Sequence, residues 1–163
     1  MTATEDYIRS LSRLKSGDLG ILRTHAYKDL DESLVGFDLF SGIWWPLRQR
    51  NPRTPRRSVA WLIAKLYSSY PVIHADNHHF ARQLSLCKPR DKSEGDRFQE
   101  RFDRMLLMNI DQIEPSLNWS LGYLMNNNKQ VDWVKLTDDL SYWEDENIRL
   151  KWAKQFLNLN QGD

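Results

Sequence analysis

Along most of the chain, apolar residues recur every three or four positions, the spacing that gathers them on one face of a helix. Tyr7, Ile8, Leu11 and Leu14 predict a first helix over about 4–15, capped by Thr4 and broken at Ser16-Gly17-Asp18. Asp18 can cap a short second helix running to about Tyr27. Between 32 and 50 the apolar residues crowd together (Leu34, Val35, Phe37, Leu39, Phe40, Ile43, Trp44, Trp45 and Leu47) without strict alternation. That density predicts helix buried on more than one side, with a break before Pro46. Asn51-Pro52 followed by Pro55 predicts a loop over 50–54.

The rest of the chain reads the same way. Val59, Leu62, Ile63, Leu66 and Tyr67 share one face of a helix over about 56–70, which Pro71 ends. A short helix over 77–86 and a polar loop over 87–93 follow, and Ser93 can cap a long helix from about Glu94. Pro115 starts or kinks the next helix, which reaches about Asn126. After the Asn126-Asn127-Asn128-Lys129 turn, Asp132 is the N-cap of a helix over 133–143, and a last helix covers about 145–157. No segment alternates over the length of a strand. The pattern predicts an all-α, single-domain helical bundle of about seven to eight helices over 1–163.

Composition narrows the choice further. Gly and Pro number only seven and six in 163 residues, too few for the many turns of a sandwich or barrel. The one cysteine, Cys87, allows no internal disulfide and fits a reducing compartment. No apolar run approaches the roughly 18–20 residues of a membrane span. Met1 to Arg13 carries acids and arginines where a signal peptide has an apolar stretch. A soluble, cytoplasmic protein is expected. The net charge of +1 conceals a polarity: residues 1–104 hold 18 Lys and Arg against 13 Asp and Glu, whereas 105–163 hold 5 against 9. Such asymmetry points to one face for an anion and another for a different partner, with chance variation on a solvated surface as the alternative.

Two arginine groups carry the candidate chemistry. Residues 48–57 read RQRNPRTPRR, with Arg48, Arg50, Arg53, Arg56 and Arg57, two prolines and no carboxylate. A guanidinium fork binds phosphate oxygens in pairs and stays charged at any cellular pH, and proline lowers the entropy cost of ordering such a loop. A solvated loop, or one docked on an acidic protein, is the competing reading. Arg97, Arg101 and Arg104 stand at i, i+4 and i+7, one basic ridge beside the apolar stripe of Phe98, Phe102, Met105 and Leu106. Asp96, Glu100 and Asp103 could pair with them along the helix instead. Arg82, Lys88, Arg90 and Lys92 lead into this ridge and enlarge its positive surface.

Other residues point less clearly to a ligand. Trp44, Trp45, Trp61 and Trp133 sit among apolar neighbours and are expected in the core, although an exposed Trp or Tyr near the arginines could stack on an unpaired base. His74 and His78 stand at i, i+4, with His79, Asp76 and Cys87 nearby, but without the Glu and third ligand of a metalloprotease motif. A polar helix start accounts for them, and no metal, cofactor or catalytic residue is assigned. Cys87 has no evident base and is expected partly buried.

Several fragments, in order, resemble the CasB family, small subunits of type I-E CRISPR surveillance complexes. Residues 16–23 (SGDLGILR) are similar to that family's Gly-Asp…Leu-Arg opening. Trp44-Trp45-Pro46-Leu47 stands where the family has an aromatic segment before a basic loop, and Arg101-Phe102-Asp103-Arg104-Met105-Leu106-Leu107 resembles its Arg-Phe-x-Arg-Leu-Leu helix. The most specific part is the tail: Val131-Asp132-Trp133, Leu136, Asp139-Leu140, Tyr142-Trp143, then 149–156 (RLKWAKQF). The likeness spans about 7–157. Within it Arg23, Arg53 and Arg101 sit in matching fragments, whereas 68–79 and 87–96 show little resemblance, so Arg82, Lys88, Arg90 and Lys92 inherit no role.

The resemblance implies a non-catalytic, all-helical subunit present as a pair with a second copy of itself. Its partners would be the backbone and large subunits of the surveillance complex, guide RNA and target DNA. It would help hold the opened duplex through nucleic-acid backbone, with neither membrane nor small-molecule substrate. The candidate contacts are Arg23, Arg48, Arg50, Arg53, Arg56, Arg57, Arg97, Arg101 and Arg104. The competing reading is a structural helical adaptor whose arginines meet acidic proteins.

Overall fold

The computed structural model describes residues 1–158, which hold nine α-helices and no strand. The all-α expectation holds, with nine helices against about seven to eight expected. The chain divides into two compact units, Met1–Pro71 and from Val72 onward.

In the first unit, α1 (Ala3–Ser12) is capped by Thr2 rather than Thr4. The Thr2 hydroxyl accepts from the Glu5 N–H at 3.1 Å, while the Glu5 carboxylate accepts from the Thr2 N–H at 3.3 Å. Thr4 faces inward and is buried. Helix α2 (Ser16–Arg23) begins two residues before Asp18 and stops at Arg23. Tyr27 beyond it adopts a φ of 65°, which a right-handed helix does not admit. The following Lys28 carbonyl accepts from Trp61 Nε1 and from the Nζ of buried Lys65, each at 2.9 Å.

After a 3₁₀ turn (Leu30–Glu32), α3 runs unbroken from Leu34 to Arg50. The expected break before Pro46 is absent. Pro46 leaves unpaired only the carbonyl four residues back, which belongs to exposed Gly42, so water can satisfy it. Helix α4 (Arg57–Ser69) buries Val59, Ala60, Trp61, Leu62, Ile63, Ala64 and Leu66, and so forms the unit's centre. Helix α2 packs on α3 and α4, α3 also packs on α1 and α4, and the buried Tyr7 hydroxyl donates to the Ala60 carbonyl.

The second unit comprises α5 (Phe80–Ser85), α6 (Lys92–Leu106), α7 (Glu114–Asn126), α8 (Trp133–Ser141) and α9 (Glu146–Phe156). Helix α6 starts earlier than expected because Asp91, not Ser93, caps it by accepting from the Glu94 N–H at 3.0 Å. Asp132 caps α8 as expected, and its second carboxylate oxygen accepts from the Asn77 N–H at 2.8 Å. The aromatic core gathers where α9 meets α5 and α6. Phe102 stacks on Phe156 with ring centres 4.0 Å apart, and Trp143 meets Trp152 edge-on at 4.8 Å. No helix among the described residues is long and apolar enough to cross a membrane.

Candidate nucleic-acid interface

The arginine loop is held from inside and open outside. Thr54 is buried, with its hydroxyl 2.8 Å from the Asn51 carbonyl and 3.1 Å from that of Leu47. Two neighbours fasten the same stretch: Arg48 donates to the Thr54 carbonyl at 2.7 Å and Trp44 Nε1 to the Pro55 carbonyl at 2.7 Å. Asn51 adds a side-chain turn, its Oδ1 accepting from the Arg53 N–H at 2.9 Å. The loop is thereby ordered without a ligand. Arg50 and Arg53 extend from it, exposed, and their guanidinium groups make no hydrogen bond among the described residues.

The remaining arginines of this unit divide differently. Arg57 donates to Asp31 at 2.8 Å and lies 5.7 Å from the Phe37 ring centre, so its charge is offset by an exposed carboxylate. Arg56 is half-buried at the N-cap of α4. Arg23 ends α2, and its Nε donates to the Ser68 carbonyl at 3.0 Å. Arg23, Arg48 and Arg57 thus bind their own chain, and Arg56 is engaged as well.

In the second unit, α6 presents its ridge as the spacing predicts. Phe98, Phe102 and Met105 are buried, while Arg97, Arg101 and Arg104 are exposed. Only one of the possible ion pairs along the helix forms among the described residues, Arg104 with Glu100 at 3.6 Å. Asp103 accepts instead from Gln99 Nε2 at 3.0 Å. Arg101 lies over Trp119, its guanidinium carbon 4.8 Å from the ring centre. Arg97, Arg101, Phe98, Trp119, Tyr123 and Glu94 line a cleft of about 360 Å³.

Trp119 and Tyr123 were not singled out in the sequence, although their i, i+4 spacing on α7 was a legible signal. The other tryptophans sort by packing. Trp61 and Trp133 are buried as expected, Trp44 is half-buried, and Trp45 is a correction, with 53% of its surface exposed. Trp45 points away from the core because Phe40, Trp44 and Leu47 already fill the inward face of α3.

The histidine segment serves packing within the second unit. His74 Nδ1 accepts from the Trp133 N–H at 3.1 Å and its Nε2 lies 2.9 Å from Asp76. Among the described residues no three His, Cys, Asp or Glu side chains converge as a metal site. Burial, followed by the nearby Lys135, lowers the pKa of His79. Burial raises that of Cys87, whose Sγ faces the Gln83 carbonyl at 3.6 Å.

The fold has counterparts among solved structures. The chain is similar to CasB from M. ruber, with a TM-score of 0.76 and 17% identity over 96% of this chain and 93% of that one. It is similar to a Cse2-family CRISPR-associated protein from Thermus thermophilus, with a TM-score of 0.74 and 20% identity over 97% and 99%. CasB from Thermobifida fusca gives 0.71 and 14% over 94% of each chain. No curated protein matches the sequence. The sequence itself matches the family described as CRISPR-associated protein Cse2 across residues 18–157, most of its length. The chain therefore belongs to the Cse2 (CasB) family of CRISPR-associated proteins.

Proposed function

We propose that this Cse2-family chain is a non-catalytic subunit of an RNA-guided, cytoplasmic DNA surveillance complex, and that it binds nucleic-acid backbone to stabilise the opened duplex. The observation that carries this reading is the set of exposed guanidinium groups without an acceptor among the described residues: Arg50 and Arg53 in the first unit, Arg97 and Arg101 in the second. An arginine that forms no ion pair is available for a phosphate, which it binds without regard to sequence. Exchange of a DNA duplex for an RNA–DNA heteroduplex is nearly balanced, so a few backbone contacts can decide its direction. Arg48 holds the arginine loop in place, Arg23 is engaged by the Ser68 carbonyl and Arg57 by Asp31, and Arg104 is partly offset by Glu100. The partners are the backbone and large subunits, a second copy of the chain, guide RNA and target DNA.

A surface for a protein partner exists apart from the arginines. Leu34 and Trp45 are exposed and eleven residues apart on α3, hence on the same face, where a protein partner could cover them. Such a contact is compatible with the nucleic-acid role and does not employ the arginines. The separating experiment is R-loop lifetime in the assembled complex. Arg50→Ala/Arg53→Ala/Arg97→Ala is expected to assemble normally and shorten the lifetime about 10-fold or more, corresponding to about 1.4 kcal/mol. A variant that fails to assemble while its fold is intact favours the adaptor, and an unchanged lifetime contradicts the nucleic-acid role.

A further inference from the structure

We propose that the cleft between α6 and α7 receives one unpaired nucleotide of a single strand, its base packed on Trp119 with Tyr123 beside it and its phosphodiester held by Arg97 and Arg101. The inference deepens the reading above and rests on it, since it turns one part of a backbone-binding surface into a pocket for a base.

Four observations converge on this occupant. The volume of about 360 Å³ falls within the roughly 300–1,000 Å³ range of small-ligand clefts. One wall is aromatic: Phe98, Trp119 and Tyr123 are mutually in contact, with ring centres 4.9 to 5.4 Å apart. The same wall carries cationic chemistry: Arg101 lies over the Trp119 ring with its N–H groups making no hydrogen bond among the described residues, so a base entering the cleft stacks over that guanidinium or displaces it from the ring. Against these two guanidiniums stands one carboxylate, Glu94. The balance of one positive charge matches the single negative charge of a phosphodiester within a strand better than the double charge of a terminal phosphate.

The indole N–H groups supply a further distinction. Trp44, Trp61, Trp133, Trp143 and Trp152 each donate to a carbonyl or carboxylate oxygen of the protein, whereas exposed Trp45 makes no such bond among the described residues. Trp119, half-buried at the cleft, makes no such bond among the described residues. Its Nε1 is open to solvent, so this donor is available to a ligand. The cleft is also built in advance of a ligand. A Cβ at Gly95 would lie 2.9 Å from the Pro89 carbonyl oxygen, so glycine is what lets the 87–91 loop close against α6 at the cleft's edge. A base offers a flat π face for Trp119 whatever its identity, so the site reads the presence of a base and not its sequence.

The test is the affinity of the full chain for a fluorescein-labelled single-stranded 20-mer, compared with the same strand in which every base is replaced by an abasic spacer. Both strands carry the same phosphates. Wild type is expected to prefer the base-bearing strand by about 5- to 150-fold, the range of one stacking contact. Trp119→Ala should abolish that preference, and Trp119→Phe, which keeps an aromatic face and guards against misfolding as the cause, should retain most of it. Deoxy and ribo versions of the strand identify the source: tighter binding of DNA assigns a displaced strand, tighter binding of RNA assigns the guide, and either supports the pocket. Equal affinity for base-bearing and abasic strands, with salt-sensitive binding intact, overturns the pocket and leaves backbone binding standing. Failure of both strands to bind at low salt overturns both.

Discussion

Arg48 and Arg53 lie five residues apart on one basic segment, yet the first spends its guanidinium on the Thr54 carbonyl while the second reaches solvent without an acceptor among the described residues. Their residue type was legible in the sequence, but their roles were not, because those depend on where Thr54 turns inward and which carbonyl it presents. Arg23 makes the same point over a longer span, since its acceptor Ser68 is 45 residues away. Trp119 is the converse case. Its spacing to Tyr123 was visible, but its place at a cleft depends on Arg101 and Phe98 from another helix. The division between anchoring and free arginines leads to a paired expectation. Arg48→Ala should destabilise the chain by about 1–3 kcal/mol, the cost of stranding a polar partner of a charged donor. Arg53→Ala should stay within about 0.5 kcal/mol of wild type. Urea unfolding followed by circular dichroism checks both, and equal losses would remove the distinction.

At the scale of elements, the helix bodies were legible and their ends less so. The periodicity of 59–67 and of 98–106 identified α4 and α6 with their buried faces, because burial selects the apolar positions directly. Caps moved by two residues, from Thr4 to Thr2 and from Ser93 to Asp91, since several hydroxyls and carboxylates near a helix start compete and packing chooses among them. Asp132 was identified as a cap, but its second bond, to Asn77, joins segments 55 residues apart and left no mark in the sequence. The start of α5 carries a pH dependence. His79 is half-buried at its N-cap, where burial first and Lys135 second lower its pKa from the ordinary 6.5, with Lys151 adding to them and Asp132 and Asp139 opposing. The unfolded chain therefore takes up this proton first as pH falls. The stability His79 contributes is complete above about pH 6.5 and is lost as pH drops from there through the lower folded-state value. Between pH 7 and 5, His79→Asn should lose less Tm than wild type, and identical slopes would exclude His79 as a cause.

For the whole molecule, fold class and family were both within reach of the sequence, the first through helical periodicity and the second through the order of short fragments. The sequence placed its change in charge at residue 104, whereas the two compact units divide at 71 and 72. Counted by unit, residues 1–71 hold 11 Lys and Arg against 7 Asp and Glu, and residues 72–163 hold 12 against 15. The α6 ridge therefore stands in a unit that is acidic on balance, and its positive character is local, arising from three arginines on one helical face with a single ion pair among them. Net charge could not reveal this, because it averages over every face of the chain.

The most direct measurement of the central claim is binding of the purified chain to a labelled 40-mer of single-stranded DNA across a salt series, with Arg50→Ala/Arg53→Ala and Arg97→Ala/Arg101→Ala as comparisons. Each phosphate contact removed should flatten the dependence of log affinity on log salt by about 0.7 for a single strand. Each double variant is therefore expected to bind more weakly with a shallower slope, while Tm falls by no more than about 4 °C. Slopes unchanged from wild type in both variants, or no binding by wild type even at low salt, would contradict the assignment of these arginines to nucleic-acid backbone.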